Sequence, residues 1–179
     1  MKKIIYIILC LFGFSSLLEA GEFNDLNNPF EGLRKLVLSL TLDKLDLDSK
    51  NYQNQVYAIL METRYGNETA SLVSIADGTT SLYFSNGGGI IGAGGHSNVE
   101  KATLIFITKS EKYLKLAKPT KIFPLPKKGK VKFYLIAQKG IYTYTASENK
   151  LGNQKDKFSE LFYAGQDVIS EIRKTEEKK

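Results

Sequence analysis

His96 is the only side chain of this sequence whose unperturbed pKa lies near neutrality, so a general base working at pH 7 would have to be this residue. Upstream of it stand Ser85 and Asn86, then Gly87, Gly88, Gly89, Gly92, Gly94 and Gly95, six of the chain's 15 glycines in one short stretch. Bare glycine amides let the backbone approach an anion closely, and the start of a helix beyond adds partial positive charge. Two chemistries fit that composition. The loop, rimmed by His96 and Asn98, would cradle an anion; alternatively Ser85 and His96 would pair with loop amides as an oxyanion hole, giving a small hydrolase or transferase. A plainer reading is that the glycines turn the chain and let Ile90 and Ile91 reach the core.

Gly87, Gly89 and Gly92 also satisfy the letters of G-x-G-x-x-G. Dinucleotide binding needs more: the first strand of a βαβ unit before the turn, a helix directly after it, and an acidic residue closing the next strand. Here the preceding strand reads as the third of a meander, residues 93–95 separate the turn from the helix, and Gln138 stands where the acid belongs. No cofactor is expected. No metal is expected either, because one His and one Cys, Cys10, cannot supply a zinc site. Asp43, Asp46 and Asp48 alternate with Leu42, Leu45 and Leu47, the pattern of a wet face on a packed segment.

The other chemical feature is charge. Lys109, Lys112, Lys115 and Lys118 recur every three residues, and Lys121, Lys127, Lys128, Lys130 and Lys132 continue the run. Such a stripe suits anionic lipid headgroups or an acidic protein, or else simply keeps the chain in solution. Specific nucleic-acid recognition is not expected, since only Arg34, Arg64 and Arg173 are available to read bases.

The elements that position these residues follow from period and punctuation. Asn28-Pro29-Phe30-Glu31 sets a cap, a first-turn proline and a reciprocal Glu before Leu33, Leu36 and Val37, which starts a helix. Runs at 56–64, 70–75 and 80–85 read as strands, the last two joined by Asp77-Gly78, a hairpin pair; Asp77 is a turn residue rather than a catalytic acid. Ser97 or Asn98 caps a helix running to Ala117 and stopped by Pro119. A stiff connector with three prolines spans 118–130. Strands at 131–137 and 141–146 form a second hairpin, 148–157 is a polar loop, and 158–172 returns to helical spacing before the charged, frayed tail 174–179.

The expected fold class is therefore α+β, a largely antiparallel five-stranded sheet flanked by helices in the order α-βββ-α-ββ-α, occupying a single domain at 21–173. Its 179 residues, 42% hydrophobic with 10 Tyr and 10 Phe, suffice for one packed core. Ahead of it, Lys2-Lys3, an apolar run at 4–18 and Ala20 have the layout of a cleaved signal peptide, 1–20. The run is shorter than the ~20 residues a bilayer span needs. Export to the periplasm or medium would leave a basic chain without a thiol and without a transmembrane span.

The segments Tyr57-Ala58-Ile59-Leu60-Met61-Glu62-Thr63, Ala76-Asp77-Gly78-Thr79-Thr80-Ser81-Leu82-Tyr83-Phe84-Ser85-Asn86-Gly87-Gly88-Gly89-Ile90-Ile91-Gly92, Phe123-Pro124-Leu125-Pro126 and Leu161-Phe162-Tyr163-Ala164-Gly165-Gln166 resemble a group of uncharacterised bacterial proteins. That resemblance implies no activity. The element order is similar to profilin-like and roadblock-like modules, which implies a platform that binds partners. Taken together, the expectation is an exported, non-enzymatic binding or structural module whose partner is a protein or an anionic surface.

Overall fold

Strand β1 (Val56–Tyr65) opens with eight consecutive buried residues, and a strand buried on both sides can only be central in a sheet covered on both faces. The computed structural model describes residues 29–45, 47 and 52–177, and bears this out; the expected leader 1–20, the capping Asn28, and Asp46 and Asp48 lie outside the described residues. β2 (Glu68–Ile75) and β3 (Thr80–Phe84) extend from one side of β1 as the expected meander. β6 (Lys130–Ala137) and β7 (Gly140–Ser147) extend from the other.

Two further strands correct the expected count of five. β4 (Gly89–Ile91) folds back on β3, and β5 (Lys118–Pro119) lies along β7, giving a seven-stranded antiparallel sheet in the order β4-β3-β2-β1-β6-β7-β5. Both additions are edges. One is three residues long and begins with glycine; the other is a Lys-Pro pair. Neither is long enough to show a period of two, and proline is confined to the outer strand of a sheet because it cannot donate to the ladder.

The helices are α1 (Pro29–Leu38), α2 (Ser97–Ser110), α3 (Glu148–Gly152) and α4 (Ser159–Glu176). α2 is shorter than its apolar spacing suggested. It tightens into a 3-10 segment, Glu111–Leu116, in which Tyr113 turns inward against Phe158 with ring centroids 4.9 Å apart. α3 occupies part of the expected 148–157 loop, and α4 continues into the expected tail.

α2 and α4 cover one face, over Ile59, Met61, Leu72, Leu82, Phe133 and Leu135. A Cβ at Gly165 of α4 would lie 2.6 Å from the Met61 Cε, so the missing side chain lets the helix approach the sheet. The buried hydroxyls of Thr80 and Thr103 bond at 2.6 Å and tie α2 to β3. A thinner layer covers the other face, where Phe30 and Val37 of α1, then Leu40 and Leu45, then Phe123 and Leu125 of the connector lie over Leu60, Val73, Tyr83, Tyr134 and Ile136.

That thin layer is fastened by a buried ion pair. Arg34 Nε donates to Glu62 Oε1 at 2.7 Å and Nη2 to Oε2 at 3.1 Å, and Nη2 also donates to the Phe123 carbonyl at 2.6 Å. Ser71 adds a bond to Glu62 Oε1 at 3.3 Å. Burial pushes the Glu62 carboxyl above the usual glutamate range, against the pull of Arg34, and pushes the Tyr134 hydroxyl up to about 12. With a folded value above the unfolded one, the neutral carboxyl favours folding at low pH, and that contribution fades as pH rises through the raised value.

Replacing Arg34 with Met strands the carboxyl in the interior and is expected to cost ~3–5 kcal/mol near neutral pH in urea denaturation. The deficit should narrow as pH falls toward the ordinary carboxylate range, where Glu62 becomes neutral, and the double change Arg34→Met with Glu62→Leu should recover most of it.

Candidate functional site

The glycine-rich stretch is built from two turns at opposite ends of β3. At the far end, Ser85 to Gly88 forms the β3–β4 hairpin, with Gly87 N donating to the Phe84 carbonyl at 3.1 Å and Phe84 N to the Gly88 carbonyl at 3.2 Å. Gly87, Gly88 and Gly89 have φ of 98°, 78° and 148°, values that side chains avoid. A Cβ on Gly89 would lie 2.6 Å from the Leu82 carbonyl oxygen, so β4 closes on β3 only without one.

At the near end, Gly92, with φ 76°, starts the 3-10 turn Ala93–Gly95, and Gly95 N donates back to the Gly92 carbonyl at 3.1 Å. A Cβ on Gly94 would overlap the carbonyl oxygen of Gly78, so this turn packs backbone to backbone against the β2–β3 hairpin. The His96 carbonyl then accepts from Val99 N at 2.9 Å and Glu100 N at 3.0 Å, which opens α2. Its imidazole is exposed and makes no capping bond.

This layout separates the proposed catalytic pair. Ser85 continues the β2–β3 ladder: its Oγ accepts from Thr69 N at 2.8 Å and its own N–H donates to the Thr69 carbonyl at 2.9 Å. The length of β3, about 15 Å at the usual rise per residue, lies between Ser85 and the turn that carries His96. Asn98 faces away from the loop and donates to Glu171 Oε2 of α4 at 2.7 Å. Asp77 does what a turn residue does, its Oδ1 accepting from Thr79 N at 2.8 Å. Among the described residues, no three of His, Cys, Asp and Glu come together in a way that could hold a metal.

Lys130 and Lys132 lie in β6, and the rest of the lysine run divides into three groups. Lys109 and Lys112 turn toward Glu160 of α4, at 4.0 and 2.5 Å. The Lys112 bond holds the Glu160 carboxyl below, and the Lys112 ammonium above, their usual values. Lys127 and Lys128 sit in the turn before β6, beside the end of β1, where Gly129 N donates to the Arg64 carbonyl at 3.3 Å. Between these groups, Lys115, Lys118 and Lys121 follow the β5 edge of the sheet, exposed and without an acidic partner among the described residues.

The surroundings hold that edge in place. Phe158 stacks on Tyr144 with centroids 3.9 Å apart and lies 5.3 Å from Phe133, forming a floor beneath the 3-10 segment. Lys157 lies 4.9 Å over the Tyr144 ring and donates to the Leu116 carbonyl at 3.4 Å. Asp156, the nearby acid, is taken by the Tyr144 hydroxyl at 3.2 Å and by Phe158 N at 2.9 Å. Lys157, Leu116 and Ile122 were not legible as members of this surface, because only the sheet edge brings them to the lysines. Compared with known proteins, the chain matches no family model, no curated protein and no solved structure.

Two neighbouring glycines separate a packed backbone position from an open one. Gly94→Ala is expected to lower stability by ~1–3 kcal/mol through the forced backbone shift, whereas Gly95→Ala, with open space around it, should lie within about 0.5 kcal/mol of wild type in thermal or urea unfolding.

Proposed function

We propose that this chain is an exported, non-enzymatic module that binds an anionic partner surface through its β5 edge. The observation that carries the reading is the line of Lys115, Lys118 and Lys121 along one rim of the sheet, exposed and unpaired among the described residues. Lysines held near an acid spend their field on it, as Lys112 does on Glu160; these three project theirs outward. The distance between Ser85 and His96 supports binding over catalysis. So do the loop amides of Gly87 and Gly95, which bond within their own turns and are not left free to face a developing negative charge. Export rests on the leader layout of residues 1–20.

Two measurements test the reading. Cells producing the full chain with a C-terminal tag should release a mature species beginning at Gly21 by intact mass; a leader-bearing species free in the cytoplasm overturns export. On an immobilised heparin column, the triple variant Lys115→Gln, Lys118→Gln, Lys121→Gln should elute at clearly lower salt than the wild type. The triple variant Lys127→Gln, Lys128→Gln, Lys150→Gln, with the same change in net charge, should elute close to the wild type. Equal elution of both triples removes the β5 edge as the contact surface.

A further inference from the structure

The β5 edge is more than a row of charges. Ile122 is 74% exposed, the most exposed large hydrophobic side chain among the described residues, and Leu116 at the other end of the segment is 41% exposed. Protection of a sheet edge against pairing accounts for Lys118 and Pro119, since a cation and a residue without an N–H both discourage an added strand. It does not call for an isoleucine held out in water.

The fold fixes Ile122 outward. Thr120 Oγ1 donates to the Ile122 carbonyl at 2.8 Å and accepts from its N–H at 3.2 Å, closing a tight turn on the residue, while Thr120 N is tied to the Ile141 carbonyl at 2.9 Å. The next residue is drawn the other way. Phe123 packs edge-on against Tyr134 with centroids 5.7 Å apart, its carbonyl held by Arg34, and the Pro124 carbonyl accepts from the Tyr134 hydroxyl at 2.7 Å and from Lys132 Nζ at 3.1 Å. With Thr120 and Phe123 anchored on either side, Ile122 is held outward. Leu116 is likewise held by the Lys157 bond to its carbonyl and by the buried Tyr113 before it.

We infer that the partner of this edge is an anionic phospholipid bilayer, with Ile122 and Leu116 entering the boundary between headgroups and acyl chains while Lys115, Lys118 and Lys121 engage the headgroup phosphates. This inference rests on the reading of the β5 edge as the contact surface. Cations bracketed by exposed aliphatic side chains are what an interfacial contact uses, the charges drawing the protein to the surface and the apolar groups holding it. A headgroup layer above acyl chains meets the charges and the aliphatic side chains together and needs no pocket shaped for either.

The test is co-sedimentation of the purified exported protein with vesicles of phosphatidylcholine alone or mixed with phosphatidylglycerol. Binding should require the anionic lipid, fall steeply with added salt, and weaken about fivefold for each edge lysine changed to glutamine. Ile122→Ser, which alters an exposed side chain and no charge, should weaken it several-fold with the far-UV spectrum and melting temperature unchanged. The inference is overturned if anionic vesicles fail to sediment the protein, if neutral vesicles do so equally well, or if the Ile122 and lysine variants bind like the wild type. Retention on heparin without vesicle binding would keep the proposed anion-binding edge and remove the lipid.

Discussion

Arg34 is asked to do three things at once, and the thin side of the molecule depends on all three. Its guanidinium grips the Glu62 carboxylate in the middle of β1, holds the Phe123 carbonyl of the connector, and lies 5.6 Å over the ring of Tyr134 in β6. A planar fork of donors can serve a carboxylate and a carbonyl together, which a lysine ammonium could not do with the same geometry. Taking two charges out of water is costly, and the bonds from Arg34 and Ser71 onto the Glu62 carboxylate offset that cost only in part, since burial still raises the carboxyl. The pair joins α1, β1 and the connector at one point, within a layer that Phe30, Val37, Leu40, Phe123 and Leu125 hold by apolar packing.

From that fixed point the path of the connector follows. The chain leaves the helical layer at the 3-10 segment, pairs briefly with β7, and crosses over the edge to the opposite face, where Phe123 and Leu125 join the α1 side of the core. The crossing leaves residues 115–122 on the rim with a turn on each side of them. The lysines and exposed aliphatic groups there are placed by the anchoring of their neighbours, not by any helical face.

Much of this architecture was legible from the residues. The meander of β1, β2 and β3, the Asp77-Gly78 turn, the second hairpin and the start of α1 all announced themselves through alternation or punctuation, signals that depend on neighbours in sequence. The two edge strands did not, because a ladder of two or three residues is defined by its partner strand. The lysine spacing misled for a related reason: period three looks like one stripe, but α2 ends at Ser110 and the chain then turns around the sheet, so the charges part company. Glu62 is the sequence's own pointer to the ion pair. A single carboxylate inside a run of eight buried strand residues needs a cation opposite, and the amphipathic helices α1 and α4 each carry an arginine, Arg34 and Arg173, that could deliver one; the fold uses Arg34.

The two glycine turns differ in a way that matters to anyone handling the molecule. Around Gly87 and Gly88 a Cβ would meet nothing within 4 Å, while at Gly94 the main chain already touches the main chain of Gly78. The hairpin tip thus has room, and a dye or tether placed at the exposed Asn86, which has no positive φ, can ride there without entering the packing. The other turn is a keystone joint: lengthening the 76–79 hairpin there would demand a matching change at 92–95.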